Sequence, residues 1–222
     1  MDSIAFAFCD AVVGTINDLP RVDVPFPDAK WNKALQDHSA NRKCFTLFFG
    51  YYDGDDKWFY CLFNTEFKRN TPFATLLERV GPKYLRINYI EIVAGWIGIE
   101  TSKDELHVLL NSLLCLQPFF NFPLLDLNDV ASKLPANDLD QILSSFAKVN
   151  IFSFVSSCKG RSAIEFAKQL MQQDTLVKSI MIQGAEDVLG DAIAEYRATG
   201  RVVHCETYSF RNAYRTSLQF AR

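Results

Sequence analysis

The chain has 222 residues, 49% of them hydrophobic and 22% charged, so it can bury a sizeable core and is not a disordered tail. A formal net charge of −3 excludes a general electrostatic attraction to nucleic acid or anionic membrane. Six scattered cysteines without a Cys-x-x-Cys pair exclude a zinc knuckle or a disulfide framework, and no apolar run reaches the length of a membrane span.

The amino terminus, Met1 to Phe6, has no basic stretch and meets Asp10 early. This argues against a signal peptide and predicts an intracellular, reducing location, cytoplasmic or nuclear. Residues 4–16 read as a helix with Ile4, Phe8, Ala11, Val12 and Thr15 or Ile16 on one inward face, capped by Asp2 or Ser3. Leu19-Pro20 and the proline-broken segment 22–27 end it. A second helix begins near Asp28 and turns Trp31, Ala34, Leu35 and His38 inward. The period then changes. Two runs, 44–52 and 57–63, flank Asp53-Gly54-Asp55-Asp56 and predict a β-hairpin. The three aspartates do not form an EF-hand, because that loop needs Gly at its sixth position and Glu at its twelfth, where Trp58 and Asn64 stand. Thr71-Pro72 opens a short helix to Arg79, with Thr71 as N-cap, and Gly81-Pro82 stops it.

From Tyr84 onward one pattern recurs: an apolar residue, two free positions, an apolar residue, one free position, an apolar residue. The copies are Ile87/Ile90/Ile92, Phe122/Leu125/Leu127, Val149/Phe152/Phe154, Val177/Ile180/Ile182 and the weaker Val202/Cys205/Thr207. They start about 25 to 35 residues apart. Their last two positions alternate with polar ones, as in a strand with one buried face. Helical patterns lie between them, at 102–116 (capped by Ser102), 134–149, 162–173 and 185–199, the last stopped by Gly200. A strand–helix unit repeated at this period predicts an α/β chain with a leucine-rich-repeat-like, right-handed βα solenoid sheet. The expected organisation is a helical segment over 1–43, a hairpin with a short helix over 44–83, and the repeat region over 84–222. Residues after Phe210 read as a loose strand or cap.

No catalytic constellation emerges. Cys158-Lys159-Gly160-Arg161-Ser162 lies where a phosphate loop would, but it lacks the earlier glycine of a P-loop. Adjacent His204 and Cys205 point to opposite faces of one strand and cannot act as a nucleophile–base pair. His38, His107 and His204 are too dispersed for a metal site, and no cofactor motif is present. What remains is geometric. If the repeat positions are buried, their neighbours Tyr89, Glu91, Leu124, Asp126, Ile151, Ser153, Ser179, Met181, His204, Glu206 and Tyr208 share the opposite face. Such an array binds proteins or peptides. Tyr89, Glu91, Asp126, Ser153, Met181, His204, Glu206 and Tyr208 are therefore the candidate partner-binding residues. The competing class is an enzyme on an open α/β sheet, with its site near Ser156 to Ser162.

The segments Met1 to Val12, Trp31-Asn32-Lys33, His38 to Arg42, Lys83 to Arg86 and the strand Leu176 to Gly184 together resemble the nematode-type family of F-box-related proteins. The resemblance covers most of the length. It implies a degenerate F-box-like start, a β-rich joint and a leucine-rich-repeat-like receptor region. It also implies a protein partner or substrate and, for members with a working F-box, docking on a Skp-type adaptor of a ubiquitin ligase. Here Leu19-Pro20 follows the first helix, whereas an F-box carries its Leu-Pro before it. A stand-alone host or immune-type factor that keeps the fold without ligase attachment is the alternative within this class.

Overall fold

A computed structural model describes residues 5–16, 19, 26–52, 57–94, 98–114, 120–127, 134–147, 149, 151, 153–157, 160–172, 179–182, 186–199 and 204–205. In chain order these contain α1 (Phe6–Thr15), α2 (Ala29–Asn41), β1 (Lys43–Tyr52), β2 (Lys57–Phe63), α3 (Phe73–Val80), β3 (Leu85–Ala94), β4 (Ile99–Thr101), α4 (Lys103–Leu114), β5 (Phe120–Leu127), α5 (Ala136–Phe146), β6 (Ser153–Ser156), α6 (Arg161–Gln172), β7 (Ser179–Ile182), α7 (Glu186–Ala198) and β8 (His204–Cys205). The chain is α/β, with one open mixed sheet of order β4-β2-β1-β3-β5-β6-β7-β8. The β1–β2 and β2–β4 pairs are antiparallel, and every pair from β1 through β3 to β8 is parallel. The expected hairpin and the expected repeat region thus share one sheet.

The parallel strands lie side by side in chain order. Each crossover therefore advances in the same direction, and right-handed crossovers then place their helices on one face. Consistent with this, α4 packs on α5, α5 on α6 and α6 on α7. Their inward residues, among them Leu106, Leu110, Ile142, Phe146, Phe166 and Leu170, merge with the strands into one core.

The register is the one the repeat predicts. Ile90, Ile92, Leu125, Leu127, Phe154, Ile180 and Ile182 are buried in that core, while Phe152 lies outside the described residues. On β1 the same face carries Phe45, Leu47, Phe49 and Tyr51. The first copy also explains its own three-residue step. Phe45 pairs with Ile87 and Thr46 with Tyr89, so Asn88 is an extra residue that lets both Ile87 and Ile90 face the core.

Ile151 departs from the expectation. Strand parity predicts an outward side chain here, but Ile151 is buried in the same core as Val149. It precedes β6, and its N–H donates to the Val149 carbonyl at 2.8 Å, a tight turn that breaks strand alternation before Ser153.

The face of α1 is a second correction. Cys9 and Val13 are buried, whereas Phe8 is 55% exposed and Ala11 is exposed. Apolar residues surround this helix, so periodicity alone could not select a side. The N-cap is Ala5, without a side-chain capping bond, so neither Asp2 nor Ser3 fills that position. In α2, Asp28 caps by accepting the Lys30 N–H at 2.7 Å, and Ala34, Leu35 and His38 are buried as expected. Trp31 is half-buried, with its ring 6.2 Å from Phe8 and 6.3 Å from Phe26.

Thr71 does not cap α3. Its hydroxyl donates to the Lys68 carbonyl in the preceding turn, and Pro72 occupies the cap position. Gly81 ends that helix at φ 78°, as the Gly-Pro step predicts. Strand β4 was not anticipated. Its entry demands glycine, because Gly98 sits at φ 79° and a Cβ there would lie 2.3 Å from the Tyr60 carbonyl oxygen.

Candidate recognition face

The face opposite the α4–α7 layer is built from the alternate positions of each strand. Pairing aligns them in two rows across the sheet. One row runs through Thr46, Tyr89, Leu124, Ser153, Ser179 and His204. The other runs through Phe48, Glu91, Asp126, Val155 and Met181. The sequence-predicted residues Tyr89, Glu91, Asp126, Ser153 and Met181 thus occupy neighbouring register positions on one face, and His204 pairs in register with Ser179. Glu206 and Tyr208 lie outside the described residues.

The rows are chemically distinct. In the second row, half-buried Phe48, Val155 and Met181 flank the carboxylates of Glu91 and Asp126, which are direct Cα partners on adjacent strands. The Tyr89 hydroxyl donates to Asp126 Oδ2 at 2.8 Å and ties the two rows together. Burial pushes the Asp126 carboxyl above its usual range, while the Tyr89 hydrogen bond pulls it partly back. In the first row the Ser153 and Ser179 hydroxyls are 2.5 Å apart. Ser153 is therefore more buried than an open-array reading implies, being 9% exposed. This face offers large apolar and aromatic contacts around an anionic, hydrogen-bonded centre. Among the described residues it brings no nucleophile and base together.

A second concavity, of about 660 Å³, lies at the β2–β4 edge among Lys57, Trp58, Glu100, Ser102, Lys103 and Asp138. Its charges are paired. Lys57 Nζ is 3.1 Å from Glu100 Oε1, and Lys103 Nζ bonds Asp138 Oδ1. Ser102 and Glu105 cap α4 reciprocally: the Ser102 N–H donates to Glu105 Oε2 at 2.9 Å, and the Glu105 N–H donates to Ser102 Oγ at 3.2 Å. The Ser102 backbone holds the Glu105 carboxyl below its usual range. The cleft was not legible in sequence because its lining comes from three separate segments, 57–58, 100–105 and 138. The Ser-Lys-Asp-Glu capping pattern was the one local signal, and it marks a helix start.

The segment proposed for an enzyme site contributes little chemistry. Ser156 is buried, Ser157 Oγ donates to the Leu127 carbonyl at 3.2 Å, and Arg161 is exposed at the start of α6. Cys158 and Lys159 lie outside the described residues. Among the described residues no group of His, Cys, Asp and Glu could hold a metal, and no helix is long and apolar enough to cross a membrane. No protein-family model, curated protein or solved structure matches the chain.

Proposed function

We propose that this chain is a non-enzymatic protein-recognition module. Its sheet acts as a leucine-rich-repeat-like βα solenoid, and a protein partner docks on the face bearing Tyr89, Glu91, Asp126, Ser153 and Met181. The observation that carries this reading is the alignment of those positions into two cross-strand rows opposite the α4–α7 layer. Half-buried aromatic and thioether side chains beside a hydrogen-bonded carboxylate are the composition of an interface anchor. An intracellular setting, in which thiols such as those of buried Cys9 and Cys61 stay reduced, is part of this proposal.

The substrate-receptor form of this proposal assigns the α1–α2 pair to a Skp-type adaptor. It draws on an aromatic cluster at the surface of that pair: Phe8 and Phe26, 55% and 44% exposed, pack against Trp31. The test has two arms. A photo-crosslinking residue at position 181 should trap one discrete protein that the same residue at 188, on the outer side of α7, does not trap; Val188 is 53% exposed. Titration of the full chain with a purified Skp-type adaptor should show saturable binding below about 100 µM. Crosslinking at 181 without adaptor binding leaves a stand-alone recognition protein. Identical adducts at both positions refute the recognition face.

A further inference from the structure

The α1–α2 pair has its own small core of Cys9, Val13, Ala34 and Leu35, separate from the main one. It is fastened to the amino-terminal ends of β1 and β3 by polar groups. Carbonyls at the end of α1 accept from two guanidinium groups, that of Val13 in addition to the Ile16 N–H at 3.1 Å. Arg42 Nη1 donates to the Ile16 carbonyl at 2.6 Å and Arg42 Nη2 to that of Val13 at 2.9 Å. Arg86, fully buried on β3, donates to the carbonyl of Gly14 at 2.7 Å and to those of Lys83 and Leu85 at 2.8 Å.

Buried His38 sits between these cations and one carboxylate. Its Nε2 is 3.2 Å from Asp10 Oδ1, and its Nδ1 is 3.5 Å from Arg42 Nη2. These partners assign a neutral imidazole that donates from Nε2 to Asp10 and accepts from Arg42 at Nδ1. Among the described residues, the charged and titratable groups around it are Asp10 of α1, Arg42 at the end of α2, Arg86 of β3, and Lys83 and Tyr84 of the turn before β3. Lys83 Nζ already holds Asp10 Oδ2 at 3.2 Å, the Tyr84 ring stacks edge-on at 5.3 Å, and Cys44 of β1 lies beside both arginines. Protonated His38 would turn an N–H donor toward Arg42 and add a cation beside Arg42, Arg86 and Lys83, with Asp10 the one facing carboxylate among the described residues.

We propose that this junction is an acid-operated latch, in which protonation of His38 releases the α1–α2 pair from the strand ends while the sheet stays folded. Burial, then the Arg42 charge, hold the His38 pKa below its ordinary value against the opposing pull of Asp10. The sign follows. A histidine held neutral in the latched state adds no pH dependence well above its ordinary pKa of about 6.5, and it opposes latching as the pH falls below that value.

The test is amide hydrogen exchange of the full chain at about pH 7.5 and pH 5, corrected for intrinsic rates. Peptides over 6–15 and 29–41 should lose about tenfold or more protection at the lower pH, while peptides over 45–51 and 89–93 keep theirs within about twofold. His38→Gln keeps an uncharged donor and should abolish that difference. Titration of the His38 ring by NMR in the unaltered protein, expected below the ordinary histidine value of about 6.5, covers the case in which the variant fails to fold. Parallel loss of strand protection, an unchanged pH dependence in His38→Gln, or a His38 ring that titrates above about 6.5 would overturn the proposal.

Discussion

Replacing Trp58 by alanine tests the joint between the hairpin and the core. Trp58 is 3% exposed, and its ring centroid lies 4.8 Å from that of its cross-strand partner Tyr51, itself buried. Truncating a buried tryptophan costs about 3–5 kcal/mol in transfer and cavity terms. One side of Trp58 borders the polar β2–β4 cleft, so water can fill part of the space it leaves. We therefore place the cost near the lower limit, at about 3 kcal/mol. For a chain of this length each kcal/mol lowers the melting temperature by about 2–4 °C, so Trp58→Ala should melt about 6–12 °C below the parent. Urea unfolding should show a lower midpoint with an unchanged slope. Tyr52→Ala is the control: Tyr52 is 48% exposed, and its loss should stay within about 0.5 kcal/mol. A Trp58→Ala protein that melts with the parent refutes the packing argument and makes the hairpin a flap.

Other expectations follow from the same register. Ile180→Ala should cost about 2–5 kcal/mol and Met181→Ala about 1 kcal/mol or less; equal urea midpoints would contradict the assignment of faces. Gly98→Ala should destabilise clearly more than Gly81→Ala. Both carry positive-φ strain of about 1–3 kcal/mol, but only the first drives a methyl onto the Tyr60 carbonyl, so the reverse order of midpoints would refute the reasoning. The raised Asp126 pKa means that the folded state holds this proton more tightly than the unfolded chain, so ionisation costs stability as the pH rises from about 4 toward the folded-state value. Asp126→Asn still accepts from Tyr89, and it should be more stable than the parent at neutral pH and equal to it near about pH 3. Lower stability at neutral pH would show that the carboxylate is needed.

The sheet was legible because alternation is a local signal. Ile90/Ile92, Leu125/Leu127 and Ile180/Ile182 each report their buried face within three residues, whatever the rest of the chain does. The positions of Tyr89, Asp126, Ser153 and Met181 followed by parity. Position is all that parity supplies. The Tyr89–Asp126 and Ser153–Ser179 hydrogen bonds depend on which strands are neighbours, and residues 37 and 26 apart carry no local mark of that. The inward side of α1 failed for the opposite reason, since a helix apolar all round leaves the choice to its partners. The polar junction also went unread. Its one sequence trace is an arginine inside the apolar start of β3, Leu85-Arg86-Ile87, and its partners Gly14 and Arg42 come from distant segments.

The recognition face is tested most directly by measuring binding and melting on the same Tyr89→Ala protein. The protein trapped by crosslinking at position 181 serves as ligand. Our account predicts an affinity loss of about 1–3 kcal/mol, with a melting temperature within about 3 °C of the parent. A melting temperature that falls further, with the affinity of the folded fraction unchanged, would contradict it and return Tyr89 to the core.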